Sequence, residues 1–372
     1  MKILTSYTSY PANKDDWRGV FIYNFTYALG KIRKLVINSW GPPGVIPENI
    51  SYVATSYEAK WLKKLLAAGG IAHLLRTSPI KSLLYYIPML LFFLKKVYRR
   101  TEGVDLYHIN WLQNAIPLGN TSRQPLVISV LGSDLKLVTN PLLRHLIKRV
   151  IKNRCCVLCP NGKWMIPILE DYFGEYAEIA YVPFGIGEEW FNIERAFTDK
   201  DHQWLVVLRM TQQKVGRLFD WGADVFTSPH HLTWLGPKQE DIETPAWLDY
   251  QGATNPGALR EKWFPKASGI ITLSEHDEGQ PQVLLEAMAA GLPIIASNIP
   301  AHRNLIINYE TGILINSKDE LKAAIEYLAI GANNKRIALQ ARNWVKAEIG
   351  TWDDCAERYL QIYERLLPDE IS

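Results

Sequence analysis

Short apolar strands, each followed by a polar loop and then by helical periodicity, recur along this chain. Residues 2–7 predict the first strand, a polar loop that ends at Gly19 follows, and an apolar helix pattern continues to Leu29. Further strands are predicted at 104–109, 126–130, 204–208, 231–235, 269–273 and 293–296. Strands that alternate with helices predict parallel sheets covered by helices on both faces.

The chain has 372 residues, which is enough for two domains at ~150 residues each. A Pro/Gly turn at 183–187 interrupts the alternation, which restarts after it, and we place the boundary there. We expect an N-terminal domain at 1–184 and a second domain at 185–350. Both are predicted to be α/β and Rossmann-like, doubly wound and facing a central cleft, with ligands at the carboxyl ends of their strands.

Composition excludes several classes of protein. With 48% apolar and 21% charged residues, the chain is neither disordered nor fibrous. Four cysteines, at 155, 156, 159 and 355, are too few for a disulfide framework, and no signal-peptide pattern follows Met1. We therefore expect a reducing, cytoplasmic location.

The charge is unevenly divided along the chain. Residues 1–187 contain 23 lysines and arginines against 11 acids, whereas the remainder contains 18 against 27. A basic first half predicts an anionic partner, which could be membrane headgroups, a diphosphate or nucleic acid. The charge division alone does not choose among them.

The longest apolar run, 83–94, is flanked by the bases Lys81, Lys95, Lys96, Arg99 and Arg100. Twelve residues with a proline inside are shorter than the ~20 needed to span a bilayer. The run is therefore either a buried helix of the first domain or an interfacial helix that lies on anionic lipid.

The segment 274–293 carries the most information about chemistry. It follows an apolar strand, and Gly279 and Pro281 predict a turn into a helix at 283–290. The unpaired N–H groups at the start of such a helix favour an anion such as a diphosphate. Glu278 lies before the helix and Glu286 lies inside it, so the two acids are placed to contact different parts of one ligand.

This segment resembles the retaining glycosyltransferases of family four, also called glycosyltransferase group 1, which have the GT-B fold. Their two glutamates and the following Ala-Met-Ala, Gly and Pro match Glu278, Glu286 and 287–293. The resemblance implies that Glu278 contacts the donor sugar near the reacting centre and that Glu286 holds the ribose hydroxyls. Other donor-binding residues implied at this turn are Gly279, Gln280, Pro281 and Gln282.

A second element, 206–216, is similar to the family's G-R-x-x-x-x-K-G pattern, with Leu208 in place of the first glycine. In the family, this Arg and Lys bind the donor diphosphate. The resemblance thus assigns Arg209 and Lys214 to the catalytic group beside Glu278, because fixed cations stabilise the charge that develops on the leaving diphosphate.

Two motifs of the first domain resemble the family less closely. Residues 105–111 are similar to its D-x-x-H-x-H strand end, with Asn110 for the second His, and 130–134 to its V-H-G-S-D loop, with Leu131 for the His. The resemblance places His108, Gly132 and Asp134 on the acceptor or sugar side, although a histidine within the core is an equally good interpretation of His108. Gly19 matches the glycine loop that lets backbone approach the diphosphate or acceptor.

Together these motifs predict a retaining, metal-independent glycosyltransferase of the hexosyltransferase type. Its donor is a nucleotide-diphosphate sugar, and its acceptor is lipid-linked or a glycan in cell-surface polysaccharide or glycolipid synthesis. We expect no cofactor, no nucleic acid partner, and a peripheral position on the inner face of the cell membrane. By the resemblance, a C-terminal helix in 351–372 returns to the first domain.

Alternative functions remain open at this point. One is an inactive subunit that binds a nucleotide sugar, which the Asn110 and Leu131 departures favour, and the other is a GT-B sugar-nucleotide epimerase. Metal sites are not expected, because the D-x-D match at 199–201 lies in a polar linker and the C-x-x-C at 156–159 lies on an apolar strand.

Overall fold

The computed structural model describes residues 1–13, 16, 18–119, 122–196, 201–276 and 278–367, without the side chain of Ala72. The chain forms two compact units, Met1–Phe184 with Trp352–Ser372, and Gly185–Thr351. Several residues of the segments considered above lie outside the described residues: Asp15 and Trp17 of the first loop, Asp199 and Lys200 of the D-x-D match, and Asp277 of the segment 274–293.

The first unit is built on a parallel sheet of seven strands. The strands are β1 (Lys2–Ser6), β2 (Val36–Trp40), β3 (Ile50–Tyr52), β4 (Leu106–Asn110), β5 (Leu126–Val130), β6 (Cys156–Pro160) and β7 (Glu178–Ile179). Their order across the sheet is β3-β2-β1-β4-β5-β6-β7. Since β1 and β4 are neighbours, the connections that leave them run to opposite sides of the sheet, which makes β1/β4 the switch point of this unit.

Helices cover the sheet of the first unit. They are α1 (Val20–Gly30), α2 (Ser56–Ala67), α3 (Gly70–Thr77), α4 (Pro79–Lys81), α5 (Ile87–Arg100), α6 (Leu135–Val138), α7 (Pro141–Ile151) and α8 (Ile166–Phe173). A π-helical turn, Ser82–Tyr86, joins α4 to α5, and short 3-10 helices lie at Leu112–Leu118 and Lys163–Met165. Thr55 and Glu58 form a capping box that fixes the start of α2.

Successive residues of the strands pack on opposite faces of the sheet. Ile3 packs with Phe25 of α1 in one core, whereas Leu4 packs with Phe93 and Leu94 of α5 in the other. This alternation follows from the pleat of a strand that is buried on both sides. Because every paired residue of such a strand is buried, only residues past the last paired one are placed to contact a ligand.

The second unit contains a parallel sheet of six strands. They are β8 (His202–Val207), β9 (His230–Leu235), β10 (Asp249–Gly252), β11 (Gly269–Thr272), β12 (Ile294–Ser297) and β13 (Ile313–Ile315), in the order β10-β9-β8-β11-β12-β13. The switch point of this unit lies between β8 and β11. The order repeats that of the first unit, so both units are Rossmann-like.

The helices of the second unit are α9 (Glu188–Phe191), α10 (Gln212–Val215), α11 (Leu218–Gly222), α12 (Pro256–Ala258), α13 (Gln282–Ala289), α14 (Pro300–Arg303), α15 (Lys318–Ala329) and α16 (Gly331–Trp344). Short π or 3-10 turns lie at Leu259–Trp263, Phe264–Lys266 and Val345–Ile349. The predicted helix at 283–290 is α13, which begins and ends one residue earlier.

The last helix, α17 (Trp352–Leu366), belongs to the first unit. Its Tyr359 and Tyr363 are buried in the same core as Phe25 of α1. On its surface, Lys31 donates to Asp353 at 2.8 Å. Within the described residues, no helix of either unit is both long and apolar enough to cross a membrane.

Candidate functional site

The loops that leave β8 and β11 meet at the switch point of the second unit. Gly216 follows α10 with φ of +52°, and a Cβ at this position would overlap the carbonyl oxygen of Leu273 at the end of β11. The backbone N–H of Glu275 also donates to the carbonyl of Gln213 at 2.8 Å. The glycine is therefore needed because the two loops are in backbone contact, and this contact brings the two sequence motifs together.

Lys214 and Glu278 form an ion pair at this junction. The lysine is buried, with 9% of its side chain exposed, and the glutamate side chain is 26% exposed. Burial would raise the pKa of Glu278, but the charge and hydrogen bond of Lys214 outweigh it and hold the pKa below its ordinary value. The structure thus places these two predicted residues together, as a charged pair.

Helix α13 begins directly after the loop that contains Glu278. Pro281 is its N-cap, the helix has no side-chain cap, and its first turn contains no acidic residue. The amide Nε2 of Gln282 is buried and has no acceptor among the described residues. An uncapped helix start beside an unsatisfied donor is suited to bind an anion.

Glu286 lies one turn into α13 and has an unusual acidity. Burial, together with the nearby carboxylate of Glu189, raises its pKa to about 8, and the charge of Arg260 acts in the opposite direction. Arg260 and Glu189 lie 3.5 Å apart as an ion pair. A carboxyl group that is neutral near pH 7 in a half-buried position is typical of a functional site.

Arg209 lies just past the end of β8 and is half-buried. Its Nη1 donates to Oε1 of Gln239 at 3.1 Å. The Leu208 that replaces the family's glycine accepts, through its carbonyl, a hydrogen bond from Nε1 of the buried Trp234 at 2.8 Å. The indole of Trp234 thus fixes the backbone at Leu208. Arg209 still lies at the start of the loop that follows β8, as predicted.

Sequence reasoning missed three residues whose charges change the pKa of Glu278 or Glu286. Buried His302 of α14 lowers the pKa of Glu278 through its charge, and its Nδ1 lies 2.8 Å from the carbonyl oxygen of Ser297. Glu189 and Arg260 adjust the acidity of Glu286. These residues are distant in sequence from both motifs, so no local pattern could have identified them.

Two residues at the switch point of the first unit, Gly19 and Trp111, have positive φ angles. Gly19 has φ of +68°, and a Cβ there would lie 2.7 Å from the backbone nitrogen of Tyr10. Trp111, directly after β4, also has positive φ (68°), a costly conformation for a bulky side chain. It is half-buried against Phe21, with ring centroids 6.4 Å apart.

His108 lies in the core of the first unit, which is the second of the two interpretations that the sequence left open. The ring is fully buried between β4 and α17. Its Nδ1 lies 2.5 Å from the hydroxyl of Tyr363, and its Nε2 lies 2.8 Å from the hydroxyl of Ser129. Burial lowers its pKa to about 3, so it is a neutral core histidine.

Asp134 is also fully buried, and it organises the loop from within. Its carboxylate accepts from the backbone N–H groups of Leu112, at 3.2 Å, and Leu131, at 3.1 Å. Burial raises its pKa to about 6, against the opposing effect of these N–H groups. Gly132 is buried in the turn that Asp134 closes.

The two departures from the family pattern differ in exposure. Asn110 is fully buried and donates from Nδ2 to the carbonyl of Ser6 at 3.2 Å, which ties β4 to β1. Leu131 is half-buried and packs beside Trp111 and Phe21. Where the family has a polar histidine, this edge of the sheet is therefore apolar and aromatic.

The metal-binding candidates lie partly within the described residues. Asp201, the described acid of the D-x-D match, is exposed and lies 3.3 Å from Nε2 of His231. Cys156 and Cys159 are buried within β6. In the described ranges, no group of three or more His, Cys, Asp or Glu side chains is arranged to hold a metal ion.

Comparison with known proteins matches residues 258–344 to the glycosyl transferases group 1. An uncharacterized glycosyltransferase from Haemophilus influenzae is 26% identical over 180 residues, which are 47% of this chain and 48% of that protein. The chain spans half or less of the length of the curated relatives that it matches. The resemblance to glycosyltransferases is thus confirmed for the part of the chain that contains Glu278 and Glu286.

Solved structures are similar over nearly the whole chain. Sucrose-phosphate synthase from Thermosynechococcus elongatus has a TM-score of 0.72 at 16% identity, with 99% of each chain covered. The Anabaena protein HepE in complex with UDP-glucose has a TM-score of 0.65 at 13% identity, covering 98% of this chain and 100% of the other. This likeness confirms the predicted fold, GT-B with two Rossmann-like domains.

Proposed function

We propose that this protein is a retaining glycosyltransferase that moves a sugar from a nucleotide-diphosphate sugar to a lipid-linked or glycan acceptor. The observation that carries the proposal is the junction of Lys214, Glu278 and the uncapped start of α13 at the switch point of the second unit. The family match over 258–344 and the UDP-glucose bound by HepE support the donor class.

The donor diphosphate would lie against the start of α13. Two or three backbone N–H groups, Nε2 of Gln282 and the cations of Arg209 and Lys214 supply hydrogen bonds and positive charge there. These groups are fixed before the donor arrives, so they stabilise the leaving diphosphate without reorganising. On this account the reaction proceeds without a metal ion or other cofactor.

The two glutamates would contact opposite ends of the donor. Glu286 would accept hydrogen bonds from the ribose hydroxyls, and Glu278 would contact the transferred sugar. Glu278 is also the partner of Lys214, so an arriving diphosphate shares that lysine with it. Retention without a carboxylate nucleophile implies that the acceptor hydroxyl attacks on the face from which the diphosphate leaves, and a phosphate oxygen takes its proton.

We place the acceptor at the switch point of the first unit. Gly19 and Trp111 follow the two strands that define this point, and Leu131 lies beside them. An indole held in a strained backbone conformation is a suitable surface for stacking a sugar ring. The proposal includes a cytoplasmic site of action, in polysaccharide or glycolipid synthesis.

Calorimetric titration with nucleoside diphosphates tests the donor site. At pH 9, where Glu286 is ionised, we expect Arg209→Ala and Glu286→Ala each to weaken binding by roughly 1.5–3 kcal/mol, because each loses a hydrogen bond that involves a charged group. Lys335→Ala, an exposed change on α16 of the same unit, serves as the control and should leave the affinity unchanged. If both site variants kept the wild-type affinity, the donor would not bind at this site.

A second candidate function is a subunit that binds nucleotide sugar without transferring it. The apolar Leu131 and the buried Asn110, in place of the family's polar residues, favour this alternative. It predicts normal binding in the calorimetric titration but no release of nucleoside diphosphate from any sugar nucleotide.

A further inference from the structure

The helical run Pro79–Arg100 presents large apolar side chains to solvent. Ile80, Leu83 and Leu84 are 73%, 59% and 77% exposed, and Phe92 is 50% exposed. Large exposed apolar side chains that are contiguous, rather than scattered, mark a surface that binds something. The sequence left open whether this run is buried or interfacial, and the structure shows that it has one buried face and one face with exposed apolar side chains.

The exposed residues recur at helical spacing. On the inner face, Leu90, Phe93, Leu94, Val97 and Tyr98 pack into the core of the first unit. The outer side chains of α5, from Phe92 to Arg99, then share the opposite face, because residues three and four apart lie on one side of a helix. Ile80, Leu83 and Leu84 have the same spacing and are exposed on the preceding turns. We call this outer surface the docking face, and it comprises Ile80, Lys81, Leu83, Leu84, Tyr85, Phe92, Lys95, Lys96 and Arg99.

The charges around the docking face have one sign. Between Glu58 and Glu102 the chain has no acidic residue and nine lysines and arginines. No described residue forms a salt bridge with Lys81, Lys95, Lys96 or Arg99, so these four charges at the two ends of the apolar stripe are uncompensated. An apolar centre with cationic ends is complementary to a bilayer interface with anionic headgroups.

Arg100 is not part of this surface charge. Its Nη1 and Nη2 each donate to the buried carboxylate of Glu58 at 2.6 Å. The guanidinium therefore neutralises a charge inside the first unit. The sequence grouped Arg100 with the flanking bases, and the structure removes it from that group.

We propose that the docking face binds the surface of an anionic lipid bilayer. A second copy of the chain is a poorer occupant, because pairing two identical faces would oppose their uncompensated cations. This inference does not depend on the proposed sugar transfer, but it would bring a lipid-linked acceptor within reach of the first unit.

Co-sedimentation with vesicles tests the proposal. The full-length protein is mixed with vesicles of phosphatidylcholine alone, or of equal parts phosphatidylcholine and phosphatidylglycerol. The charge variant changes Lys81, Lys95, Lys96 and Arg99 to Gln, and the apolar variant is Leu83→Gln with Leu84→Gln. A matched control removes the same charge from exposed positions of the second unit, at Lys266, Lys322, Lys335 and Lys346.

We expect the wild type and the control to pellet with the mixed vesicles and to be released as salt rises. Each lysine near an anionic surface contributes about fivefold to binding, so the charge variant should lose well over tenfold. The apolar variant should also bind less, since its side chains no longer enter the interface. Thermal unfolding of each variant at the wild-type temperature shows that the fold is kept.

Three results would overturn the proposal. These are equal pelleting with both lipid compositions, undiminished pelleting of the charge variant, or an equal loss in the control, which would indicate a net-charge effect alone. Calorimetric titration with a nucleoside diphosphate should give the wild-type affinity in every variant. A loss of that affinity would concern the proposed donor site, so the two failures are distinguishable.

Discussion

At the scale of single residues, the proposed function links donor binding to the chemistry through the ion pair of Lys214 with Glu278. A buried cation is stable only with a partner, and here that partner is the carboxylate that the family motif assigns to the donor sugar. In the free protein the lysine is already neutralised. A diphosphate must therefore compete with Glu278 for it.

This competition gives the first prediction. Glu278→Gln should strengthen the binding of a nucleoside diphosphate by roughly 1 kcal/mol, about fivefold, because the competing charge is removed. The same change should weaken sugar transfer. Calorimetry measures the first effect, and nucleotide release measures the second.

Glu275→Gln is the matched control, since Glu275 lies on the same loop but is exposed and 3.7 Å from Arg217. It should alter neither quantity. If Glu278→Gln weakened nucleotide binding, Glu278 would have to act as a ligand rather than as a competitor.

The pKa of Glu286 predicts how nucleotide binding depends on pH. Burial and Glu189 raise this pKa to about 8, and ribose hydroxyls donate best to the ionised carboxylate. Affinity should therefore rise between pH 6 and pH 9, and Glu286→Gln should abolish that rise. Calorimetric titrations at a series of pH values measure this rise in affinity. If Glu286→Gln kept the rise, a group other than Glu286 would be responsible for it.

The same shift has a consequence for stability. The folded pKa lies above the unfolded value of 4.5, so the wild type loses stability as pH rises from 4.5 to about 8. Glu286→Gln should gain roughly 1–3 kcal/mol over the wild type across that window, less than the full shift because the side chain is partly exposed. Chemical denaturation at the two ends of the window measures the difference.

At the scale of elements, the helical run Pro79–Arg100 is fixed at one end by the contact of Arg100 with Glu58. Arg100→Gln would leave a buried carboxylate unpaired and should destabilise the first unit by roughly 2 kcal/mol. Lys95→Gln, one turn earlier and exposed, should change the stability little. Equal effects of the two changes on thermal unfolding would contradict the assignment of Arg100 to the interior.

The seven strands listed from the sequence lie within about two residues of β1, β4, β5, β8, β9, β11 and β12. The strands β2, β3, β7, β10 and β13 were not predicted. Buried parallel strands are short apolar runs bounded by polar loops, and that signal is local, as for Leu126–Val130. The division of the run 83–94 between a buried and an exposed face could not be predicted. It depends on which side of the helix meets the sheet, and on a π-helical turn at Ser82–Tyr86 that shifts the spacing.

At the scale of the whole molecule, the two units were predictable to different degrees. In the second unit the motif residues follow the last paired residues of β8 and β11, so sequence position alone brings Lys214 and Glu278 together. In the first unit His108 is still paired within β4, where the pleat directs it into the core. A motif match does not distinguish a residue in a strand from one just past its end.

The contacts of α17 within the first unit also could not be predicted from local sequence patterns. Tyr359 and Tyr363 complete a buried network with Ser129 and His108, across 230 or more residues of sequence. The family resemblance implied that a C-terminal helix returns to the first domain, without its contacts. Its packing partners depend on the path of the chain between the two units.

On the proposed function, the junction of Lys214, Glu278 and α13 turns over a sugar nucleotide. The most direct measurement is the release of nucleoside diphosphate from a panel of sugar nucleotides, with excess chelator present, by the wild type and by Lys214→Ala. The account predicts release by the wild type that chelator does not reduce, and a loss of roughly 10²–10³-fold in the variant, because a fixed cation no longer stabilises the leaving group. Release that disappears with chelator, or that persists unchanged in Lys214→Ala, would contradict it.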